Sequence, residues 1–124
     1  MGRVTPVFDT NILIDYLNGI PLAKDEISRF REAYISSITW IEVMAGARDH
    51  GEEKAIRRFL EDFNCVAVDQ EVAGLSFQIR RQHRVKLPDA IIWATARHKN
   101  TLLVTRNTKD FPDSEPDIRI PYRL

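Results

Sequence analysis

Short apolar runs alternate along the chain with longer stretches in which apolar residues recur three and four positions apart. The short runs are rich in β-branched residues and predict strands at 4–8, 33–36, 65–68, 102–105 and 118–122. The longer stretches predict one helix that begins at Thr10 and five further helices over 22–30, 39–47, 52–63, 71–84 and 89–99. Strands separated by helices predict right-handed crossovers and a parallel sheet.

The predicted sheet is buried on both faces. Its strand runs are apolar throughout rather than alternating in polarity, which is typical of parallel strands covered by helices on each side. A chain of 124 residues has the usual size of one domain, and no linker or repeat divides it. We therefore expect an α/β fold with one domain over 1–124, a three-layer sandwich with a central parallel sheet.

Composition excludes several classes of protein. No apolar run reaches the roughly 18–20 residues that cross a bilayer. Cys65 is the single cysteine, which excludes an intrachain disulfide framework and a zinc site built from several thiolates. The N-terminus lacks the basic, apolar and small-residue blocks of a secretory signal, so we expect a cytoplasmic protein with no membrane association.

Four acidic residues occupy positions where a parallel sheet binds ligands, which is the crevice beyond the carboxyl ends of its strands. Asp9 directly follows the first predicted strand, and Asp110 follows the fourth. Glu42 lies in the first turn of the helix after the second strand, and Asp89 begins a later helix. These acids, from four distant parts of the chain, are expected to converge.

Convergence of carboxylates requires neutralisation. Two of them about 4 Å apart repel by roughly 4 kcal/mol at an effective dielectric constant near 20. Either one carboxyl group keeps its proton or a divalent cation binds. Ligands that are all oxygen suit Mg²⁺ or Mn²⁺, and such an ion can activate water for attack on a phosphodiester.

Each acid also has a simpler structural interpretation. Asp9 suits a helix N-cap, and Glu42 suits a capping box with Thr39, in which its side chain would bind a backbone N–H. Asp89 suits the first turn of a helix, where the helix dipole favours an anion, and Asp110 suits a turn. Only the joint placement of these four acids indicates a catalytic or metal-binding site.

Charge is unevenly distributed although the formal net charge is zero, from 18 Lys and Arg against 18 Asp and Glu. Between positions 80 and 109 Asp89 is the only acid, among the basic residues Arg80, Arg81, Arg84, Lys86, Arg97, Lys99, Arg106 and Lys109. A local field of this sign attracts polyanions, although solvated helix faces would give the same pattern.

Four segments resemble the motifs of PIN-domain ribonucleases and occur in the order of that family. They are DTNILIDYL at 9–17, SITWIEVMAGA at 37–47, LPDAIIWATA at 87–96 and LVTRNTKDF at 103–111. The length of the chain and the residues of its motifs most resemble those of the VapC toxins of bacterial type II toxin–antitoxin pairs. The resemblance implies the strand order 3-2-1-4-5 and an endoribonuclease that depends on Mg²⁺ or Mn²⁺.

The resemblance also implies site residues. Asp9, Glu42 and Asp89 correspond to the metal-binding and catalytic acids of the family. Many members carry a further Asp two residues after the threonine of the last motif, where this chain has Asn107. Either Asp110 supplies the missing catalytic charge or Asn107 serves as a neutral metal ligand. Supporting roles fall to Asn11, as a hydrogen-bond donor to the acids, and to Thr105, which would position a water or an acid.

The expected substrate is RNA, with transfer RNA as the first expectation for the family. Water would attack a backbone phosphorus and leave a 5′-phosphate and a 3′-hydroxyl. The resemblance further implies a homodimer and a cognate VapB-like antitoxin that blocks the site. Six basic residues are expected to hold RNA phosphates beside the acids: Arg80, Arg81, Arg84, Lys86, Arg106 and Lys109.

Two alternatives stay open. A receiver-type phospho-acceptor module shares the length, the parallel sheet and an acidic pocket, with Thr105 and Lys109 in suitable places. It needs adjacent acids after its first strand, however, and Asp9 is followed by Thr10. The other alternative is a PIN-fold protein that binds RNA without cleaving it.

Overall fold

The computed structural model describes residues 3–112 and 114–124. Its strands are β1 (Val7–Phe8), β2 (Tyr34–Ser36), β3 (Asn64–Val66), β4 (Leu103–Val104) and β5 (Ile118–Arg119). Its helices are α1 (Thr10–Leu17), α2 (Pro21–Ser28), α3 (Ser37–Met44), α4 (His50–Leu60), α5 (Gln70–His83) and α6 (Leu87–His98). Across these two ranges no helix has the length and apolar content that a membrane span requires.

The five strands form one parallel sheet in the order β3-β2-β1-β4-β5. This confirms the predicted order and differs from the 2-1-3-4-5 order of receiver-type folds. In the central strand, Val7 is in register with Tyr34 on one side and Leu103 on the other. The residue that follows β1 therefore lies at the middle of the carboxyl edge of the sheet.

Helices cover both faces, as expected for a three-layer sandwich. Successive strand residues point to opposite faces, so Val7 and Leu103 join one core cluster while Phe8 and Val104 join the other. The first cluster is completed mainly by α5 and α6, including the fully buried Trp93. The second is completed mainly by the first four helices. Two separate cores thus hold the sheet edge in place.

Several element boundaries differ from the predicted ones because side-chain caps decide where helices begin. Ser36 caps α3 by accepting from the Ile38 N–H at 3.1 Å, so this helix begins at Ser37 rather than Thr39. The capping box of Thr39 and Glu42 is therefore wrong. In the same way, Asp49 accepts from the Glu52 N–H at 2.8 Å, and α4 begins at His50, two residues before its predicted start.

Candidate active site

Asp9 lies at the centre of the candidate site. Its carboxylate caps α1 by accepting from the Thr10 N–H at 2.7 Å through Oδ1. Its Oδ2 accepts from the Thr105 hydroxyl at 2.8 Å and from Asn11 Nδ2 at 3.2 Å. The residue is only 4% exposed. The N-cap interpretation of Asp9 is thus confirmed, and the same side chain is also fixed beside β4.

Glu42 reaches the start of α1 from α3. Its Oε1 accepts from the Thr10 hydroxyl at 2.6 Å, and the Thr10 oxygen lies 3.0 Å from that of Thr39. In the described part of the chain, Oε2 of Glu42 has no hydrogen-bond donor. Thr10, which no motif argument singled out, therefore joins the first two acidic segments.

Asp89 lies half-buried in the first turn of α6. No hydrogen bond reaches its carboxylate from any residue that the structure describes. Burial raises its pKa, and the negative charges of Asp110 and Glu42 raise it further, while Lys86 offsets part of this effect. Asp89 is thus close enough to two other acids for their charges to be felt.

The fourth acid, Asp110, lies in a local turn that Asn107 stabilises. Asn107 Oδ1 accepts from the N–H groups of Lys109 and Asp110 at 3.2 and 3.1 Å. Asn107 Nδ2 donates to Asp110 Oδ2 at 2.9 Å. Because the amide oxygen of Asn107 is already engaged twice, the geometry favours Asp110 over Asn107 as a source of negative charge for the site.

The four predicted acids share one electronegative region. Burial raises the pKa of Asp9 from 3.8 to about 6, although the hydrogen bonds from Thr105 and from the Thr10 N–H lower it. The charges of Asp89 and Glu42 contribute to the rise. Asp89 in turn feels Asp110, so all four acids belong to the same electrostatic network.

The donor set suits a hard divalent cation, although the site is not a closed cage. Across 3–112 and 114–124, no three His, Cys, Asp or Glu side chains form a group that could hold a metal ion by themselves. Mg²⁺ is usually held by only one or two carboxylates together with waters and substrate phosphates. Carboxylate oxygens with unused lone pairs on Glu42 and Asp89 fit that mode of binding.

The basic residues predicted to bind RNA fall into two groups. The exposed ones are Arg80, Arg81, Arg84, Lys86 and Lys109. Arg106 instead donates through Nε and Nη2 to the carboxylate of Asp15, which also accepts from the Tyr122 hydroxyl. Sequence reasoning missed Asp15, although an acid within the apolar run of 12–17 signals a buried ion pair.

Comparison with known proteins agrees with this geometry. A model of the PIN domain matches residues 7–113. Over 108 residues the chain is 32% identical to ribonuclease VapC1 of Methanocaldococcus jannaschii, covering 83% of this chain and 76% of that protein. The chain belongs to the VapC group of the PIN-domain family.

Two further comparisons extend over nearly the whole VapC-type domain. Ribonuclease VapC10 of Mycobacterium tuberculosis is 28% identical over 124 residues, with 94% of this chain and 92% of that protein covered. A solved toxin–antitoxin complex from Klebsiella pneumoniae superposes with a TM-score of 0.92 at 42% identity. That match covers 97% of this chain and all of the other. The predicted resemblance is confirmed.

The raised pKa of Asp9 makes the stability of this PIN domain depend on pH. A rise from 3.8 to about 6 corresponds to about 3 kcal/mol, because the folded state binds the proton more tightly than the unfolded chain. This stabilisation is present below pH 4 and is lost as the pH rises through 6. Asp9→Asn carries no charge, so its stability relative to the unchanged protein should improve by up to about 3 kcal/mol between pH 4 and 7.5.

Urea unfolding in EDTA at both pH values measures this difference. Asp25→Asn is the matched control, because Asp25 is an exposed carboxylate on α2. A stability difference for Asp9→Asn that stays constant with pH, as expected for the control, would show that Asp9 ionises as easily in the folded protein as in the unfolded chain.

Proposed function

We propose that this protein is an endoribonuclease that depends on Mg²⁺ or Mn²⁺ and acts as the toxin of a toxin–antitoxin pair. The observation that carries the proposal is the buried Asp9 carboxylate, which Thr105 and Asn11 hold in place within a network of three other acids. Membership of a family whose relatives include ribonucleases VapC1 and VapC10 supports the same activity.

Asp9, Glu42, Asp89 and Asp110 would hold the ion, and a bound divalent ion supplies positive charge that stabilises the phosphorane-like transition state and makes water easier to deprotonate. Thr105 and Asn11 keep the Asp9 carboxylate in one orientation. Asn107 orients Asp110 in the same way and need not be a ligand itself. These hydrogen bonds remove the freedom that a converging set of side chains would otherwise have.

Asp89 is the best candidate for a general base. Its carboxylate receives no hydrogen bond from the described residues, so one oxygen could contact the ion while the other accepts a proton from water. Water that attacks phosphorus would pass a proton to Asp89 as the bond to the 3′ oxygen breaks, and the leaving 3′ oxygen would take a proton from solvent. The products are a 5′-phosphate and a 3′-hydroxyl.

The RNA phosphates would approach along the exposed basic residues. Arg80 and Arg81 lie in the last turn of α5, and Lys86 immediately precedes α6, which carries Asp89. Lys86 is close enough to Asp89 to lower its pKa. Lys109 adjoins Asp110 on the other side. Structured RNA is the proposed substrate because this path leads to the acids, and transfer RNA comes first because the family resemblance implies it.

A VapB-like antitoxin is the expected protein partner, since the structures that this chain resembles include toxin–antitoxin complexes. A groove of about 450 Å³ between α1, α3 and α4 reaches Glu42 and is lined by the exposed apolar residues Ile14 and Leu17. An apolar segment of the antitoxin that filled this groove would contact the edge of the acidic site. We also propose a homodimer for the toxin.

A PIN-fold protein that binds RNA without cleaving it remains a second candidate. It is favoured by one observation, that no three acids in the described ranges form a ready metal cage. Such a protein would bind RNA and leave it intact at any concentration of Mg²⁺.

Removal of single acids tests the nuclease. Asp9→Asn and Asp89→Asn should each lower the initial rate of cleavage of a 5′-labelled structured RNA by at least about 100-fold with Mg²⁺, because each removes charge from the reacting centre. EDTA should abolish cleavage by the unchanged protein. Asp62→Asn, at an exposed acid after α4, serves as control. Undiminished cleavage by either site variant would contradict the mechanism, and no cleavage by the unchanged protein would favour the RNA-binding candidate.

The basic path is tested by the salt dependence of RNA binding. A variant with Arg80, Arg81 and Arg84 all changed to Gln should bind RNA more weakly in EDTA. The slope of log affinity against log salt should fall by about 2, since each phosphate contact contributes about 0.7–0.9. The matched control changes the exposed residues Lys24, Lys54 and Arg58 to Gln. Equal slopes in both triple variants would show that binding follows total charge rather than this path.

A further inference from the structure

A buried ion pair lies outside the acidic site, between α1 and the segment after β4. Asp15 is only 4% exposed, and its carboxylate receives both Nε and Nη2 of Arg106, the latter at 2.9 Å. The Tyr122 hydroxyl donates to the same carboxylate at 2.8 Å. Burial opposes ionisation of Asp15, yet these hydrogen bonds hold its pKa below the ordinary value. The carboxylate is therefore charged and satisfied.

Arg106 stands between two residues of the acidic site. On one side Thr105 donates its hydroxyl to Asp9, and on the other Asn107 donates to Asp110. The backbone N–H of Arg106 lies 3.4 Å from Asn11 Oδ1. Any displacement of Arg106 would therefore be transmitted to both neighbours through one peptide bond each.

Helix α1 meets this segment at two points. Asn11 and Asp15 are four residues apart and so lie on one face of the helix. Asn11 Nδ2 lies 3.2 Å from both Asp9 Oδ2 and Thr105 Oγ1. Asp15 makes the second attachment one turn further along, through the side chain of Arg106.

We propose that Asp15 is a positioning residue, which by holding Arg106 sets the separation between Asp9, the N-cap of α1, and the 105–110 segment that carries Asp110. The affinity of the acids for a divalent ion depends on that separation. The inference rests on the proposed function. It also assigns Arg106 to positioning, whereas the exposed basic residues contact RNA. Partners that orient metal ligands commonly change metal affinity by roughly 10–100-fold when removed.

The chain contains a matched control for a purely structural role. Glu26 on α2 is 3% exposed and receives Nε and Nη2 of Arg119 at 2.7 and 3.0 Å. This pair has the same bidentate geometry and nearly the same burial as the pair of Asp15 and Arg106, and Glu26 also lies 3.2 Å from Nε of the exposed Arg29. Its arginine lies in β5, which carries none of the acids, and Arg119 meets Thr105 through a backbone hydrogen bond that Glu26→Gln does not remove.

The test compares Asp15→Asn with Glu26→Gln. Thermal unfolding in EDTA measures stability, and calorimetric titration with Mn²⁺ measures ion affinity. We expect both variants to unfold at lower temperature than the unchanged protein. Only Asp15→Asn should lose Mn²⁺ affinity, by roughly tenfold or more, and show a lower kcat with an unchanged KM for RNA. Tyr122→Phe, which removes one hydrogen bond to Asp15, should shift Mn²⁺ affinity in the same direction by less.

Two results would overturn the proposal. One is an Mn²⁺ affinity of Asp15→Asn, or of Tyr122→Phe if the first variant does not fold, that equals the affinity of Glu26→Gln. The other is loss of RNA affinity in EDTA by Arg106→Gln with Mn²⁺ affinity unchanged, which would make Arg106 an RNA contact. If the unchanged protein binds Mn²⁺ and cleaves RNA, these results overturn only this inference. If it does neither, the proposed function falls as well.

Discussion

Burial of the Asp9 carboxylate beside other acids is the constraint on which the rest of the site depends. The parallel sheet places β1 at its centre, so the acid that follows β1 cannot avoid the middle of the carboxyl edge. There it is buried, and the charges of Asp89 and Glu42 act on it. The fold holds this arrangement with two apolar cores, one on each side of the sheet.

Hydrogen bonds stabilise the negative charge of these carboxylates only in part. Asp9 accepts from three donors, Glu42 from one and Asp89 from none in the portion of the chain described. The falling number of donors leaves progressively more lone pairs for a ligand from solution. Among the described residues, Lys86 offsets part of the rise in the pKa of Asp89. An ion held by a few carboxylates, waters and phosphates is the chemical partner that such a gradient suits.

Much of the fold followed from local pattern, because buried parallel strands and amphipathic helices have distinct apolar spacing. The strand order did not follow from spacing and was predicted from the family resemblance. Placement of Asp9 beside the sheet was predictable because it directly follows an apolar strand. The start of α3 was not, because Ser36 and Thr39 are both good caps and only the folded backbone decides between them.

Contacts within the site were harder to foresee. The hydroxyl of Thr10 meets Glu42 across 32 positions of the chain, and Asp15 meets Arg106 across 91. No local pattern encodes pairs so distant in sequence. Charge alone assigns Arg106 to the predicted RNA contacts, whereas its ion pair with Asp15 decides where its side chain lies. Asn107 and Asp110, by contrast, form a turn that the short spacing between them already allows.

The most direct measurement is an anomalous difference map from crystals soaked in Mn²⁺. We expect a peak bonded to a carboxylate oxygen of Asp9 and shared with Glu42 or Asp89 directly or through water. The absence of any peak between these acids at saturating Mn²⁺, with ordered carboxylates directed away from one another, would contradict it.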